Sequence, residues 1–280
     1  MHPKNAHQAR YDFKALVLAH PPLQAFVIKH PKAGETIEFA DPLAVRALNQ
    51  ALLKHHYKVA FWELPAESLC PAIPGRVDMI HHLAELLPGK LRVLDVGVGA
   101  SCIYPLLGLA TYGWSFVGSD ISAESLASSQ LIVEKNQLQS KVELRLQKNA
   151  DAIFQNIIRP DEKFDLTICN PPFFSTLAEA RAESERKWKH LGLGLKGEHR
   201  NFGGVGAELW CPGGEARFLQ KMVEESREYK QQVKNFSTLV SKEGHLKALD
   251  KQLEKAGASE FHIVDMQQGQ KKSRLALWRY

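Results

Sequence analysis

Apolar positions along the chain change period several times, and each change predicts an element. Leu43, Ala47, Leu48, Ala51 and Leu52 recur at helical spacing behind Asp41-Pro42, an N-cap followed by proline at the first helical position, so residues 42–58 are predicted helical. Residues 1–40 carry no sustained period and read as an arm with a short amphipathic piece at 13–20. Residues 62–75 hold three prolines and a glycine and read as a linker into a helix over 76–87. From there short apolar runs alternate with helical patterns. Strands are predicted at 91–96, 115–119, 142–146 and 164–169, with helices after 101, over 122–136 and, briefly, over 151–158. Residues 191–214 interrupt the rhythm with eight of the nineteen glycines. A connection that long is by base rate a functional loop. A helix over 215–230, a strand at 235–241, a helix at 245–256 and strands at 260–266 and 274–280 close the chain. The last two strands are separated by a short turn and must be antiparallel, whereas the earlier ones need parallel crossovers.

With 280 residues, 44% of them apolar, the chain can bury a large core. No apolar run approaches the roughly 18–20 residues that span a bilayer, and Met1 to Arg10 have no apolar signal-peptide core. Cys70, Cys102, Cys169 and Cys211 lie far apart, which argues for reduced thiols in a cytoplasmic protein and against a zinc site. The net charge is +5, but residues 1–32 hold Lys4, Arg10, Lys14, Lys29 and Lys32 against Asp12 alone. A basic end on a balanced middle suits a phosphate-rich partner. The adjacent pairs His55-His56 and His81-His82 read as surface or cap residues, and Trp188 and Trp210 as packing residues.

Three candidate sites fall at the carboxyl ends of successive strands, where open α/β sheets bind ligands. Asp95-Val96-Gly97-Val98-Gly99 turns from the first strand into the first helix, but Cys102 stands where a dinucleotide fingerprint has its third glycine. A nucleoside ligand without pyrophosphate does not need that glycine. Asp120 ends the second strand, about twenty residues on, where a carboxylate accepts from ribose hydroxyls. Asn170-Pro171-Pro172-Phe173 leaves the fourth strand. An amide oxygen and a prolyl carbonyl would hold a flat-lying amino group for attack on an electrophile, and Phe173 would stack on its ring. Together these sites fit S-adenosylmethionine as methyl donor and an aromatic amine or amide as acceptor.

The chain resembles the RlmF family of bacterial 23S ribosomal RNA adenine-N6 methyltransferases. The likeness runs from Asp41-Pro42 to the C-terminus. It is carried by Gly99-Ala100-Ser101-Cys102-Ile103-Tyr104-Pro105, Asn170-Pro171-Pro172-Phe173-Phe174, Asn201-Phe202-Gly203-Gly204, Glu208-Leu209-Trp210-Cys211 and Gln268-Gly269-Gln270. The frame is also similar to that of eukaryotic enzymes that modify a spliceosomal small RNA and messenger RNA hairpins. The resemblance implies a Class I, Rossmann-like α/β fold: a mostly parallel seven-stranded sheet with an antiparallel C-terminal hairpin and an N-terminal extension. It implies an RNA-contacting extension at 1–75 and a catalytic domain at 76–280. Gly97, Gly99 and Ser101 would line the methionine and ribose side of the cofactor, and Asp120, where the eukaryotic relatives have Glu, would hold the ribose. Arg76, in Pro74-Gly75-Arg76, would either reach the cofactor carboxylate or sit as a surface cation. Asn149 to Asp151 would border the cofactor adenine, and Asp95 and Asn170 complete the cofactor set.

The reaction so implied is direct transfer to adenine N6 with no metal, by a monomer acting on 23S RNA or an assembly intermediate. Arg181, Arg186, Lys187, Lys189, Lys196 and Arg200 would clamp the RNA. Rival readings of the same residues are a DNA adenine or protein glutamine methyltransferase, or a non-catalytic RNA-binding protein.

Overall fold

The computed structural model describes residues 1–31, 34–176, 178–179, 210–268 and 271–280. The glycine-rich loop up to residue 209 and the six clamp candidates therefore lie outside the described residues, as does Trp188. The elements in chain order are α1 (Phe13–Ala19), β1 (Val27–His30), β2 (Gly34–Ile37), α2 (Pro42–Tyr57), α3 (Ile73–Leu86), β3 (Arg92–Val96), α4 (Ile103–Tyr112), β4 (Ser115–Asp120), α5 (Ala123–Lys135), β5 (Val142–Leu146) and β6 (Phe164–Cys169). They continue with α6 (Gly214–Glu228), β7 (Val233–Val240), α7 (Leu246–Ala256), β8 (Glu260–Gln268) and β9 (Lys271–Arg279). Helix α2 starts where its cap predicts: Asp41 Oδ1 accepts from the Leu43 N–H at 2.9 Å.

Seven strands form one sheet in the order β5-β4-β3-β6-β7-β9-β8. The first five are parallel, and β9 inserts antiparallel between β7 and β8. Successive side chains leave opposite faces of a strand, and the core divides accordingly. Val93, Phe116, Leu239, Leu275 and Leu277 join one buried cluster with α2, α3, α4 and α5. Leu94, Val117, Val240, Ala276 and Trp278 join a second with α6 and α7. The sheet is thus covered on both faces, as a parallel sheet requires, and the carboxyl ends of β3, β4 and β6 share one edge.

Four features depart from expectation. The short helix at 151–158 is a run of turns. Phe154, Ile157 and Ile158 mimic a helical stripe, but Glu225 of α6 accepts the N–H groups of Ile153 and Phe154 at 2.8–3.0 Å, in place of helix carbonyls. A small antiparallel pair, β1 with β2, lies inside the segment read as arm. The first seven residues are docked: the His2 N–H donates to Asp78 Oδ1 at 2.7 Å, Asn5 donates to the same oxygen at 2.9 Å, and His7 meets the Tyr57 hydroxyl at 2.8 Å. His81 is buried rather than superficial, stacked 5.3 Å from His2 and bonded to the Tyr112 hydroxyl at 2.8 Å. Phe13, Leu16, Leu23 and Ile37 share the cluster of α4, so the core crosses residue 75 without a break. Among the described residues no helix is long and apolar enough to cross a membrane.

Candidate active site

The turn after β3 is built around two left-handed residues, Gly97 at φ 76° and Gly99 at φ 63°. That conformation strains any residue with a Cβ. It lets the N–H groups of Gly97 and Val98 both donate to the Ser119 carbonyl, at 2.8 and 3.0 Å, and ties the turn to the end of β4. Gly99 N–H then donates to Asp120 Oδ2 and Ser122 N–H to Asp120 Oδ1, each at 2.9 Å. A carboxylate has about four acceptor sites, so acceptor capacity remains for a diol. Burial raises the Asp120 carboxyl above its usual range, against the opposing backbone donors. Cys102 is itself left-handed, at φ 50°, and fully buried. A buried thiol in a left-handed backbone conformation thus stands at the third glycine position.

Asp95 lies beneath this turn with no exposure, and neither carboxyl oxygen has a partner among the described residues. Burial and then the neighbouring Asp120 push it up to about 8, while Arg76 pulls the other way. A buried carboxyl with two unmet acceptors is costly and is suited to a cationic ligand above it.

The turn opens on a cavity of about 170 Å³ lined by Gly97, Gly99, Ser101, Asp120, Asn170 and Arg76, among others. These predicted residues are therefore brought together. Asp95 lies outside the lining, and Asn149 is exposed with its amide oxygen accepting from the Asp151 N–H at 3.0 Å. Its neighbours Gln147, Ala150 and Ile153 form that wall. Pro172 lines the cavity, whereas Pro171 is buried and Phe173 faces a second, adjoining cavity with Met266, Ser241 and Lys272. Arg76 is no surface cation: its Nη1 donates to Asn170 Oδ1 at 2.8 Å and to the Tyr104 hydroxyl at 3.0 Å.

Sequence reasoning missed Leu69 and Pro71 from the linker, Phe218 and Lys221 from α6, and the site position of Trp210 and Cys211. Trp210 pairs with Phe174 as a β-bridge, and the Cys211 N–H donates to the Phe174 carbonyl at 3.1 Å. The far end of the glycine loop is thus anchored to the Asn170 segment. Tryptophans on either side of a long glycine loop were the one available signal.

The family model described as RNA methyltransferase matches residues 1–280. The curated ribosomal RNA large subunit methyltransferase F of Pseudomonas aeruginosa is 50% identical, over all of this chain and 88% of the relative. That of Vibrio cholerae is 47% identical, over all of this chain and 83% of the relative. The chain belongs to the ribosomal RNA large subunit methyltransferase F family. In fold, this member of the family is similar to the human METTL16 catalytic domain solved in complex with a MAT2A 3′UTR hairpin, with a TM-score of 0.86 and 27% identity over all of this chain and 95% of that one. A human METTL16 N-terminal domain in complex with SAH matches at TM-score 0.80 and 24% identity, over all of this chain and 98% of that one, which bears on the fold. The methyltransferase F family's Class I sheet, with its reversed β9, is the architecture expected from the sequence.

Proposed function

We propose that this protein methylates N6 of an adenine in 23S ribosomal RNA, with S-adenosylmethionine as methyl donor. The observation that carries the reading is the position of Asn170-Pro171-Pro172-Phe173, between a cavity suited to a nucleoside cofactor and a second cavity faced by Phe173. When bound, the donor supplies a methyl group on a sulfonium, with a neutral thioether as leaving group. The chain's own work is orientation. Asp120 takes the ribose diol, and Gly97, Gly99 and Ser101 admit the ligand close to the backbone. Asp95, below them, puts negative potential under the sulfonium and ammonium. Ile121, Ile153 and Phe218 give the cofactor base an apolar wall.

Asn170 Oδ1 and the Pro171 carbonyl accept the two hydrogens of the acceptor amine, which turns its lone pair toward the methyl group. Phe173 stacks on the base. Orientation of this kind supplies most of what an in-line transfer needs, and the proton leaves to water after the methyl has moved. The adenine must be swung out of its stack, which costs least in a loop or single strand.

Residues 1–75 and the basic residues around the glycine loop contact the RNA, and the enzyme acts as a monomer in the cytoplasm on the large-subunit RNA or an assembly intermediate. Deleting the gene should remove one N6-methyladenosine from digested large-subunit RNA, as read by mass spectrometry. Wild type should restore it and Asn170→Ala should not. Restoration by the variant refutes the role given to Asn170.

A further inference from the structure

Arg76 and Asn170 line both cavities. They are also bonded to each other, Arg76 Nη1 to Asn170 Oδ1 at 2.8 Å, so the wall between the cavities is a hydrogen bond. Its geometry is held from three elements. Arg76 comes from the first turn of α3, Asn170 from the end of β6, and the buried Tyr104 of α4 accepts from the same Nη1 at 3.0 Å with its ring 5.6 Å from the guanidinium carbon.

The bond has a consequence for Asn170. A guanidinium only donates, so the amide atom facing it must be the oxygen. Arg76 therefore fixes which way round the Asn170 amide stands. The amide oxygen has two lone pairs. Arg76 occupies one and leaves the other for an acceptor N–H. With the amide reversed, its NH₂ would meet the acceptor amine donor to donor.

Arg76 has donors to spare. A guanidinium carries five N–H groups, and its two described bonds use one nitrogen. Among the described residues the other cation lining the first cavity, Lys221, is on α6 beside Phe218 and is paired with Asp151 at 3.4 Å. A methyl donor must bring its sulfur next to Asn170 if Asn170 orients the acceptor. The donor's amino-acid carboxylate hangs from that sulfur by a short carbon chain, within reach of the residue that touches Asn170. Arg is the side chain built for bidentate carboxylate binding, the contact that the family resemblance implies for Arg76, and the bond to Asn170 extends it to the second cavity.

We propose that Arg76 is a positioning residue that couples the two cavities: it bridges the carboxylate of the methyl donor to the Asn170 amide oxygen, so that loading the first cavity sets Asn170 for the acceptor base in the second. The inference rests on the methyltransferase reading above. It requires the carboxylate, and not merely the nucleoside, to strengthen acceptor binding, with a coupling in the roughly 5–150-fold range usual for linked sites.

The test compares S-adenosylhomocysteine with 5′-methylthioadenosine, which keeps the nucleoside and thioether and lacks the amino-acid tail. RNA affinity of the full chain is measured on unmodified large-subunit RNA from a deletion strain, with each compound saturating. Wild type should bind RNA about tenfold more tightly with S-adenosylhomocysteine than with 5′-methylthioadenosine, and Arg76→Ala should bind equally with both. At saturating donor, Arg76→Ala should also lose about tenfold or more in kcat, since a reversed amide spoils the transition state. If Arg76→Ala does not fold, Arg76→Lys takes its place. One ammonium cannot span both partners, so it too should lose the difference between the two compounds. The inference is overturned if wild type responds equally to both compounds, or if the variant raises only the KM for donor and keeps kcat within twofold. Wild type that transfers no methyl group to any RNA would instead overturn the methyltransferase reading itself.

Discussion

Replacing Asp95 with Asn should make the protein more stable as pH rises, in proportion to pH. The carboxyl is fully buried with neither oxygen paired among the described residues, and it titrates near 8 rather than at its ordinary 3.8. Between those values the folded state holds a proton that the unfolded state has released. The folded pKa is the higher one, so this group's contribution is intact below 3.8 and is lost as pH rises toward 8. The slope of unfolding free energy with pH from this group is about −1.4 kcal/mol per unit, which accumulates to about 4 kcal/mol at pH 7. Asparagine has nearly the same shape and no titration. Its amide hydrogens bring an unpaired-donor cost of about 1–3 kcal/mol that does not change with pH, so the informative quantity is the slope of the difference and not its offset.

Urea unfolding of both proteins at pH 5, 6, 7 and 8 gives that difference, because titrating groups that are not coupled to Asp95 cancel. The Asn variant should gain on wild type by about 1.4 kcal/mol per unit from pH 5 to 7, and by less from 7 to 8 as the carboxyl nears its folded pKa. Parallel curves would refute the argument. Wild type also has a second signature. A cationic ligand over Asp95 favours its charged form, so binding S-adenosylmethionine, whose sulfonium carries the charge, should release a proton near pH 7 in the absence of RNA. Calorimetry in two buffers of different ionisation enthalpy should detect the release in wild type and not in Asp95→Asn. The cost in stability is then explained by what the carboxylate does for the ligand, a pattern common at functional sites.

Asn170→Ala should leave the melting temperature within a degree or two of wild type and lower kcat by roughly 10²–10³, the usual cost of one preorganised polar group; a smaller loss in single-turnover methyl transfer would count against it. Glu215 is buried and accepts from Ser241 N–H at 2.7 Å, from Lys242 N–H, and meets His245 Nδ1 at 2.6 Å. Glu215→Ala should cost about 3–5 kcal/mol in denaturant unfolding, since it strands those partners, and Ser241 lines the second cavity, so base binding should weaken with it. His7 and His81 are both held down to about 4, burial being the main cause. Their folded pKa lies below the ordinary 6.5, so their contribution is present above 6.5 and is lost as pH falls toward 4. The protection factors of the amides in residues 1–8, taken against the slower intrinsic exchange at low pH, should therefore be smaller at pH 5 than at pH 7, and His81→Phe should remove part of the effect.

Chemistry that depends on local backbone was legible in the sequence. Gly97, Gly99 and Asp120 sit within a single β-α-β unit, where the strand pattern alone puts the turn opposite the acid. Asn170-Pro171-Pro172 follows a strand whose apolar run leaves little doubt about its direction. The same logic found β8 and β9, because two strands a few residues apart have one way to pair. The short helix at 151–158 was misread for a reason of the same kind. Phe154, Ile157 and Ile158 carry a helical stripe, and periodicity reports which residues are buried, not which backbone bonds they make. Glu225, some seventy residues later, takes those N–H groups.

The docked N-terminus resisted sequence reading because its contacts are polar. His2, Asn5 and His7 reach Asp78 and Tyr57 through single hydrogen bonds, which leave no periodic trace in a sequence rich in histidine and lysine. The missed wall of the first cavity has a different cause. Phe218 and Lys221 are one turn apart on α6, an amphipathic helix whose apolar stripe packs on the sheet. Nothing in the spacing of that helix distinguishes a position over the core from one over the rim of the site. The difference comes from topology. β6 and β7 are parallel neighbours, so the crossover between them must pass over the carboxyl edge where Asn170 emerges. The whole stretch from Asn170 to α6 is that crossover. Trp210 and Cys211, held against Phe174, bring it back over the cavity. A glycine-rich insertion at the amino edge of the sheet would lie away from the cavity; the described residues that flank this one, Phe174 and Trp210, are paired at the cavity's rim.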